Sequence, residues 1–572
     1  MSEKKKKSST VIKSFGGVDH TKSYGDIFSA SKIENFRILN DGSLEKRNGF
    51  RFIRNVGAPI RALYNCYING KYSLFVLAAN EVLLITDNGL SSQKLGEVGT
   101  SSGNACFFFF REKLYLLDGR SAYEYTDGII TPVLGYVPLI AKDWPTNLVK
   151  EINEPRNILN RHARATYIVD MESLYLCTVD EVESIEALYV NGTLMPVETY
   201  RIDPQFNTVN VKNLKVGDRV EIFFTYKDGC DRLYELLCSS TLSEHFGGIG
   251  KNRIFLCGNN GVGTVFSSKN IDSVDLQESK RHYPLSNELY FPVGYEFDAG
   301  DGIANIRAMT RFHDRIIIFT DTDVWMVTPD DEGRDFATTT GVNSRIGCPV
   351  KNGATLSENK PVSIGYSSVF SWRADSGNRL EAANISRPIE EELDADFLLK
   401  CGVHYDVKRN ELWLYHKELD KVWIYNTERE VWYSFTGISA DHIFDLNGSV
   451  AFFKDGDLYA FDNGLTVDYD NTGIFKLITA VYTSNFSELG ISGRKNLSTV
   501  TICAQLFHND LKFLFEAPPH EAKEYVLKSK NSSMPSTTTF RYPTGRFSHA
   551  SFSFISYATD HQKISSLTLT QR

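Results

Sequence analysis

The chain has 572 residues with a net charge of −9, and 42% of its residues are hydrophobic against 23% charged. These values favour a packed core over global disorder and give no sign of the extended basic surface that binds nucleic acid. The length predicts two to four domains, unless repeated units enlarge one of them. The 28 Tyr and 37 Phe, against 6 Met, favour β-strands.

The N-terminal residues are polar and contain one basic run, Lys4 to Lys7. We interpret this run as a solvated tail, with a lipid-binding or nucleic-acid-binding arm as the alternative. The start does not resemble a signal peptide, and no apolar stretch approaches the roughly 20 residues of a membrane-spanning helix. The number of cysteines is odd and none form a CxxC pair, which predicts reduced, buried thiols in a protein made in the cytosol. They are Cys66, Cys106, Cys177, Cys230, Cys238, Cys257, Cys348, Cys401 and Cys503.

Along the chain, short apolar runs alternate with turn dipeptides, a pattern typical of β-hairpins. Asn-Gly and Asp-Gly supply the positive φ angles that tight hairpins need. The dipeptides begin at Asn69, Asn88, Asp127, Asn191, Asp228, Asp455 and Asn463. A helix is predicted over residues 387–399, where Pro388 suits a first turn and Glu390 to Glu392 favour a helix N-terminus.

Seven units of three or four short strands recur, at residues 61–87, 104–127, 246–267, 306–327, 362–386, 402–434 and 441–461. One such sheet cannot bury both of its faces alone. Stacking the sheets around an axis buries them and hides their edges, so the repeats predict an all-β fold with a β-propeller of about six or seven blades. A series of two-sheet β-sandwiches is the competing architecture.

Three regions, residues 1–60, 160–236 and 478–572, do not show the repeated pattern of short strands and divide the chain. Residues 1–60 form an extended N-terminal segment, and residues 61–159 hold the first blades. Residues 160–236 are predicted to form an inserted small β-sandwich, and residues 237–477 hold the remaining blades. Residues 478–572 carry long alternating strands and are predicted to form a C-terminal β domain, with a Ser/Thr-rich loop at residues 528–539.

Paired catalytic carboxylates, as in glycosidases, would have to lie about 5 to 10 Å apart. Glu390, Glu391 and Glu392 are consecutive, so a helix would point them in different directions. The Asp375-Ser376-Gly377 stretch resembles part of the Asp-box turn of sialidase propellers, but that turn is structural. No motif predicts catalysis, so we expect the protein not to be an enzyme and assign no catalytic residue.

Metal and phosphate motifs are also incomplete. Asp321, Asp323, Asp330 and Asp331 lack the Gly and Glu of a helical calcium loop, which favours solvated loop acids. The glycine-rich stretch from Gly247 to Asn252 lacks phosphate-loop spacing and precedes a strand. No His/Cys cluster has zinc spacing. No cofactor or metal is predicted.

Several stretches together resemble one family. Gly16 to Asp19, Ile33 to Phe36 and Asp41 to Phe50 are similar to the start of the nozzle, or tail-hub and DNA-stabilisation, proteins of short-tailed bacteriophages. The resemblance continues to about residue 569. Its further stretches are 185–226, 247–259, 302–327, 347–349, 368–372 and 486–495.

This resemblance implies a structural virion protein of the phage tail, made in the host bacterial cytoplasm. It implies a homohexameric tube below the portal and its adaptor, in contact with tail fibre or other tail proteins. The tube would retain the genome and conduct double-stranded DNA and ejected proteins during infection. The resemblance does not identify residues that contact nucleic acid. The alternatives are a propeller scaffold or receptor-binding tail module without a channel, or a carbohydrate-active propeller enzyme.

Overall fold

The computed structural model describes most of the chain and consists almost entirely of antiparallel β-sheets. It covers residues 8–22, 26–68, 70–146, 148–170, 175–178, 181–227, 229–246, 252–259, 263–300, 302–313, 315–328, 338–343, 345–374, 380–490, 492–530, 534–541 and 545–571. Lys4 to Lys7, Gly247 to Lys251, Asp330, Asp331 and Asp375 to Gly377 lie outside these residues, as do Asn69 and Asp228 of the predicted turns.

Five short strands occupy the N-terminal segment, residues 8–55. They are β1 (Ser8–Ile12), β2 (Ala30–Glu34), β3 (Phe36–Ile38), β4 (Leu44–Lys46) and β5 (Phe50–Asn55). β3 pairs with β4, and β1, β2, β4 and β5 each pair with a strand hundreds of residues later, as described below.

The first two propeller blades follow as four-stranded sheets in sequence order. Blade 1 contains β6 (Ile60–Ile68), β7 (Lys71–Ala78), β8 (Glu81–Thr86) and β9 (Ser91–Glu97), with a 3₁₀ turn at Asp87–Gly89. Blade 2 contains β10 (Cys106–Phe110), β11 (Lys113–Leu117), β12 (Ala122–Thr126) and β13 (Ile129–Pro132).

A two-sheet module is inserted between blades 2 and 3. Its strands are β14 (Leu139–Pro145), β15 (His162–Ile168), β16 (Tyr175–Cys177), β17 (Val182–Val190), β18 (Thr193–Leu194), β19 (Tyr200–Asp203), β20 (Thr208–Val211) and β21 (Arg219–Tyr226), with a 3₁₀ turn at Val197–Thr199. The sheets have the orders β14-β15-β21-β17-β18 and β16-β20-β19 and share one apolar core. The module therefore begins at β14, which our sequence-based division placed with the first blades, because β14 pairs in parallel with β15.

Helix α1 (Asp231–Cys238) leads back to the propeller. Blade 3 contains β22 (Leu242–Phe246), β23 (Arg253–Cys257), β24 (Thr264–Ser267) and β25 (Phe297–Asp298), with helix α2 (Ser273–His282) before its last strand. Blade 4 contains β26 (Ile306–Phe312), β27 (Arg315–Thr320), β28 (Val324–Thr328) and β29 (Thr338–Asn343). Blade 5 contains β30 (Ala354–Ser357), β31 (Lys360–Ile364), β32 (Val369–Ala374) and β33 (Leu380–Asn384).

The helix predicted over residues 387–399 is split in the structure. A 3₁₀ turn spans Arg387–Glu392, and helix α3 spans Ala395–Lys400, with the Asp394 side chain capping it by accepting a hydrogen bond from the Phe397 N–H. Leu393 and Asp394 have non-helical backbone angles and separate the two. Blade 6 follows with β34 (Cys401–Asp406), β35 (Glu411–His416), β36 (Lys421–Asn426) and β37 (Val431–Thr436).

Blade 7 combines both ends of the propeller sequence. It contains β38 (His442–Leu446), β39 (Ser449–Lys454) and β40 (Asp457–Phe461), and β5 of the N-terminal segment pairs with β40 as its fourth strand. Apolar residues of blades 7 and 1 then form one cluster that closes the ring. The described residues thus form seven blades, one for each predicted unit, which confirms the all-β propeller fold.

The C-terminal strands form a sandwich together with the N-terminal segment. They are β41 (Val467–Tyr469), β42 (Phe475–Leu477), β43 (Ala480–Ser484), β44 (Leu497–Leu506), β45 (Leu511–Ala517), β46 (His520–Leu527), β47 (Ser536–Arg541), β48 (Ser551–Ser556) and β49 (Gln562–Gln571). One sheet has the order β3-β4-β49-β44-β47, with β1 also paired to β49. The other, β2-β43-β48-β45-β46, continues without a break into blade 6 through β37.

Five of the described cysteine side chains are buried. The burial raises the pKa of the Cys106 thiol to about 11 and that of Cys348 to about 12, so neither is a reactive thiolate at neutral pH. The other buried thiols are Cys238, Cys257 and Cys401.

Phe50 anchors the strand that closes blade 7. Its ring makes edge-to-face contacts with Phe452, Tyr459 and Phe461 at centroid distances of 5.1, 5.7 and 5.8 Å. Aromatic pairs of this kind contribute about 0.5 to 1.5 kcal/mol each beyond area burial. We therefore expect Phe50→Leu to lower the free energy of unfolding by about 1 to 3 kcal/mol, measured by urea denaturation.

The matched control for Phe50 is Phe28→Leu, because Phe28 is 47% exposed. Substitution at Phe28 should leave the urea midpoint nearly unchanged. Equal midpoints for the Phe50 variant and the wild type would show that β5 does not hold the ring closed.

Candidate functional site

Two features of the fold are candidates for function: the cavity on the propeller axis and the junction of the N-terminal segment with the rest of the chain. The axial cavity has a volume of about 330 Å³ and is lined by six of the seven blades. That volume equals about ten water molecules at roughly 30 Å³ each. It is lined by Arg61, Ala62, Leu63, Ala105, Cys106, Phe107, Thr241, Leu242, Ser243, Ala308, Met309, Asn352, Ala354 and His442.

Hydrogen bonds link the elements around this cavity. The Arg61 guanidinium donates to the carbonyls of Ala79, Thr100 and Asp118 at 2.7 to 2.8 Å, which ties blade 1 to blade 2. The Lys351 ammonium donates to Asn104 Oδ1 at 2.9 Å, which links the loop before blade 5 to the loop before blade 2. In the part of the chain that the structure describes, this cavity of about 330 Å³ is too small to hold a nucleic acid duplex.

The junction is defined here by Asn35, Arg37, Arg47, Glu411 and Asp468, which join the N-terminal segment to blade 6 and to β41. Glu411 is completely buried and accepts hydrogen bonds from Arg37 Nε at 2.5 Å and Arg37 Nη2 at 3.2 Å. The Tyr433 hydroxyl at 2.6 Å and the Trp413 indole N–H at 3.3 Å also donate to it. Burial alone would lower the pKa of Arg37, but the Glu411 carboxylate outweighs it and holds that pKa above its ordinary value.

The second ion pair is bidentate. Arg47, 1% exposed, donates from Nη1 and Nη2 to the two carboxylate oxygens of Asp468 at 2.8 and 2.6 Å. Arg47 Nε donates to Asn35 Oδ1, and the Asn35 amide donates to the Thr436 hydroxyl and the Thr479 carbonyl. Planar two-point pairing of this kind fixes the relative positions of its partners.

The backbone of the N-terminal segment also approaches its neighbours closely. A Cβ at Gly17 would lie 2.7 Å from the Trp432 nitrogen, and a Cβ at Gly49 would lie 1.9 Å from the Val467 carbonyl oxygen. Only glycine fits at these two positions. The Val18 N–H donates to the Trp432 carbonyl at 2.8 Å, so the segment is held against β37 by hydrogen bonds as well as by packing.

Lys46 is a buried cation beside this junction. It is 1% exposed, and its ammonium donates to the carbonyl oxygens of Ala558 and Thr466. Burial, helped by the charge of Arg47, lowers the pKa of Lys46 to about 8. Between that value and the unfolded pKa of about 10.4, the unfolded chain binds a proton that the folded chain lacks.

The wild-type protein should therefore gain stability relative to Lys46→Met as the pH rises from 8 to about 10. The measurement is the difference in unfolding free energy between the two proteins across this range, from urea denaturation. Parallel pH profiles would show that Lys46 titrates as it does in the unfolded chain.

The acidic residues that the sequence raised as possible catalytic or calcium-binding groups do not form a site. Glu390, Glu391 and Glu392 are all exposed on the 3₁₀ turn, and Glu392 forms an ion pair with Lys421 at 2.9 Å. Asp321 accepts a hydrogen bond from the Asn305 amide, and Asp323 accepts one from the Thr322 hydroxyl. Within the described residues no group of three or more His, Cys, Asp or Glu side chains could hold a metal ion.

The junction pairs were not predicted from sequence. Arg47 lies in the Lys-Arg-Asn-Gly-Phe stretch that carries the family resemblance, but its partner Asp468 follows 421 residues later. Glu411 follows Arg37 by 374 residues. The resembling stretch, residues 41–50, also contains Asp41, Glu45 and Lys46, so its composition does not mark Arg47 as the residue with a buried partner.

No family model matches the chain, and no curated protein matches it significantly. Among solved structures it is similar to the AfRom2 CNH domain, with a TM-score of 0.35 and 7% identity over 72% of this chain and 99% of that one. It is also similar to BBS1N solved in complex with ARL6DN, with a TM-score of 0.26 and 10% identity over 74% of this chain and 98% of that one. Likeness at these TM-scores carries no argument about function.

The fold itself defines the class. The chain is a seven-bladed β-propeller protein with an inserted β-sandwich and a C-terminal β-sandwich that the N-terminal segment completes. No helix in the described part of the chain is long and apolar enough to cross a membrane.

Proposed function

We propose that this protein is a non-enzymatic structural component of a bacteriophage tail, where copies of the chain form a nozzle that retains the genome and conducts it during ejection. The observation that carries the proposal is the junction. The three stretches of the N-terminal segment that resemble tail-nozzle proteins contribute Asn35 and Arg47 to it. They also contain Gly17 and Gly49, which pack closely against Trp432 and Val467. A wall that resists internal pressure needs a joint of this kind.

The small volume of the axial cavity determines where DNA would pass in such a nozzle. Because one propeller admits about ten water molecules by volume, DNA would pass between copies of the chain rather than through one. A ring of copies around a shared axis provides that passage, and the family resemblance points to six. The proposal therefore places the protein in the virion tail, next to the portal–adaptor complex and to fibre or other tail proteins.

The acidic balance of the chain supports a sliding contact with DNA. A net charge of −9 per copy disfavours the phosphate neutralisation and counterion release that hold DNA on a basic surface. A duplex would then move past the wall without being bound by it.

The experiment that tests the proposal is assembly on the natural neighbours. The purified chain of 64.6 kDa is mixed with the portal–adaptor complex and measured by mass photometry and cryo-electron microscopy. We expect a ring of about six copies attached to the adaptor. A chain that stays monomeric beside the adaptor would contradict the proposal, and one that also depolymerises polysaccharide would point to the enzyme alternative instead.

A further inference from the structure

A second cavity lies where the N-terminal segment, blades 6 and 7 and the C-terminal sandwich meet. Its volume is about 510 Å³, within the range of roughly 300 to 1,000 Å³ typical of small-molecule sites, which occur preferentially between domains. It is lined by Arg37, Ile38, Leu39, Asn40, Glu45, Asn48, Lys408, Arg409, Asn410, Glu411, Asn426, Asn463 and His561. We call it the junction cavity.

The strongest charges of the junction cavity are already neutralised within the protein. Arg37 and Glu411 form its floor and pair with each other. Arg409 pairs with Asp406 at 3.1 Å. A ligand therefore meets a polar wall with little net charge rather than an anion trap or a cation trap.

Several polar groups in the cavity wall could still form hydrogen bonds with a ligand. The charge of Glu45 helps to hold the pKa of Arg37 above its ordinary value, but among the described residues its carboxylate makes no hydrogen bond and no ion pair within 4 Å. Asn426 is 3% exposed, and its Oδ1 accepts a hydrogen bond from the Arg429 N–H at 2.9 Å while its amide nitrogen donates none within the same residues. The Lys408 ammonium makes one long hydrogen bond, to the Gly448 carbonyl at 3.3 Å.

These groups combine free acceptors with free donors. An anionic ligand attracted by Lys408 would be repelled by Glu45, and a cation attracted by Glu45 would be repelled by Lys408, so neither kind of ion is favoured by both charges. An apolar ligand would leave the amides and the carboxylate desolvated and unpaired, which is unfavourable. A hydroxyl group both donates and accepts, so a ligand with several hydroxyl groups can pair with all three kinds of side chain at once.

We propose that the junction cavity binds a saccharide. Saccharide binding would be a further activity of the protein. This proposal does not depend on whether copies of the chain form a nozzle. The cavity lining offers no aromatic ring for a sugar to stack on, so the expected affinity is weak and selectivity comes from hydrogen bonds.

The experiment is saturation-transfer difference NMR on the purified full-length chain. The probes are maltotriose, cellotriose, chitotriose and α-mannotriose at millimolar concentration, with inorganic phosphate followed separately by ³¹P line broadening. We expect transfer to at least one saccharide, and we expect Glu45→Ala and Lys408→Ala each to weaken that binding about tenfold, the loss of one hydrogen bond to a charged group. Both residues are partly or fully exposed, so the variants should remain folded.

The matched control is Glu81→Ala, a charge removed from an exposed position on blade 1. It should leave saccharide binding unchanged, and circular dichroism should show all variants folded like the wild type. Absence of transfer from every saccharide, equal binding by the cavity variants and the wild type, or binding of phosphate instead would each overturn the proposal. Failure here would leave ring assembly on the adaptor unaffected, so the two proposals fail separately.

Discussion

Glu411→Gln is expected to lower the free energy of unfolding by about 3 to 5 kcal/mol, the effect of leaving a buried charge without its partner. The substitution keeps the size of the side chain but removes the negative charge that Arg37 faces at 2.5 Å. Tyr433 and Trp413 donate to different oxygens of Glu411, so glutamine keeps an acceptor for only one of them and turns its NH2 group toward the other. Urea denaturation monitored by tryptophan fluorescence measures the loss directly, because Trp413 lies at the site.

Glu418→Gln is the matched control for this variant. Glu418 lies seven residues later, is 70% exposed and faces Lys400 at 3.7 Å. Exposed pairs of this kind contribute about 0 to 1 kcal/mol, so the control should be nearly neutral. Equal effects of the two substitutions would show that water reaches Glu411 and that the junction is not a dry, ordered contact.

The blades were predictable because their contacts are local. Apart from β5 in blade 7, each blade pairs strands that follow one another, and the turns between them use residues whose chemistry is visible in the sequence. Asn88, Asp127, Asn191 and Asp455 all have positive φ, as their Asn-Gly and Asp-Gly dipeptides predict. The predicted turn at Asn463-Gly464 is also present, closed by the Leu465 N–H donating to the Asp462 carbonyl at 3.0 Å, but neither residue has the expected positive φ. The Asp462 carboxylate also accepts a hydrogen bond from the Gly464 N–H.

The pairings that join the domains were not predictable in this way. Strand β5 completes blade 7 beside β40, and β2 connects blade 6 to the sandwich, although each is about 400 residues from its partner. Alternation of apolar residues identifies such a strand but not the sheet that it enters. The candidate site lies at these long-range pairings, so the sequence showed part of it, Arg47 and its neighbouring glycine, without showing what they contact.

Asp468→Asn tests whether the joint between propeller and sandwich depends on its bidentate ion pair. The asparagine retains one acceptor for Arg47 but leaves the guanidinium, 1% exposed, without a counter-charge. It also weakens the bond that Asp468 accepts from the Phe50 N–H at 3.2 Å, at the start of the strand that closes blade 7. We expect a loss of about 3 to 5 kcal/mol in unfolding free energy.

Because this pair holds the N-terminal segment against β41, its loss should act first on the segment and only then on the blades. Hydrogen exchange of the backbone N–H groups in β4 and β5 should accelerate more in Asp468→Asn than exchange in β7, which lies in blade 1. Asp462→Asn is the control, since Asp462 pairs with Arg51 at 3.6 Å at the surface and its removal should cost about 0 to 1 kcal/mol. Uniform acceleration across β4, β5 and β7 would show that propeller and sandwich unfold as one unit, and unchanged exchange in all three would show that the ion pair contributes nothing to the joint.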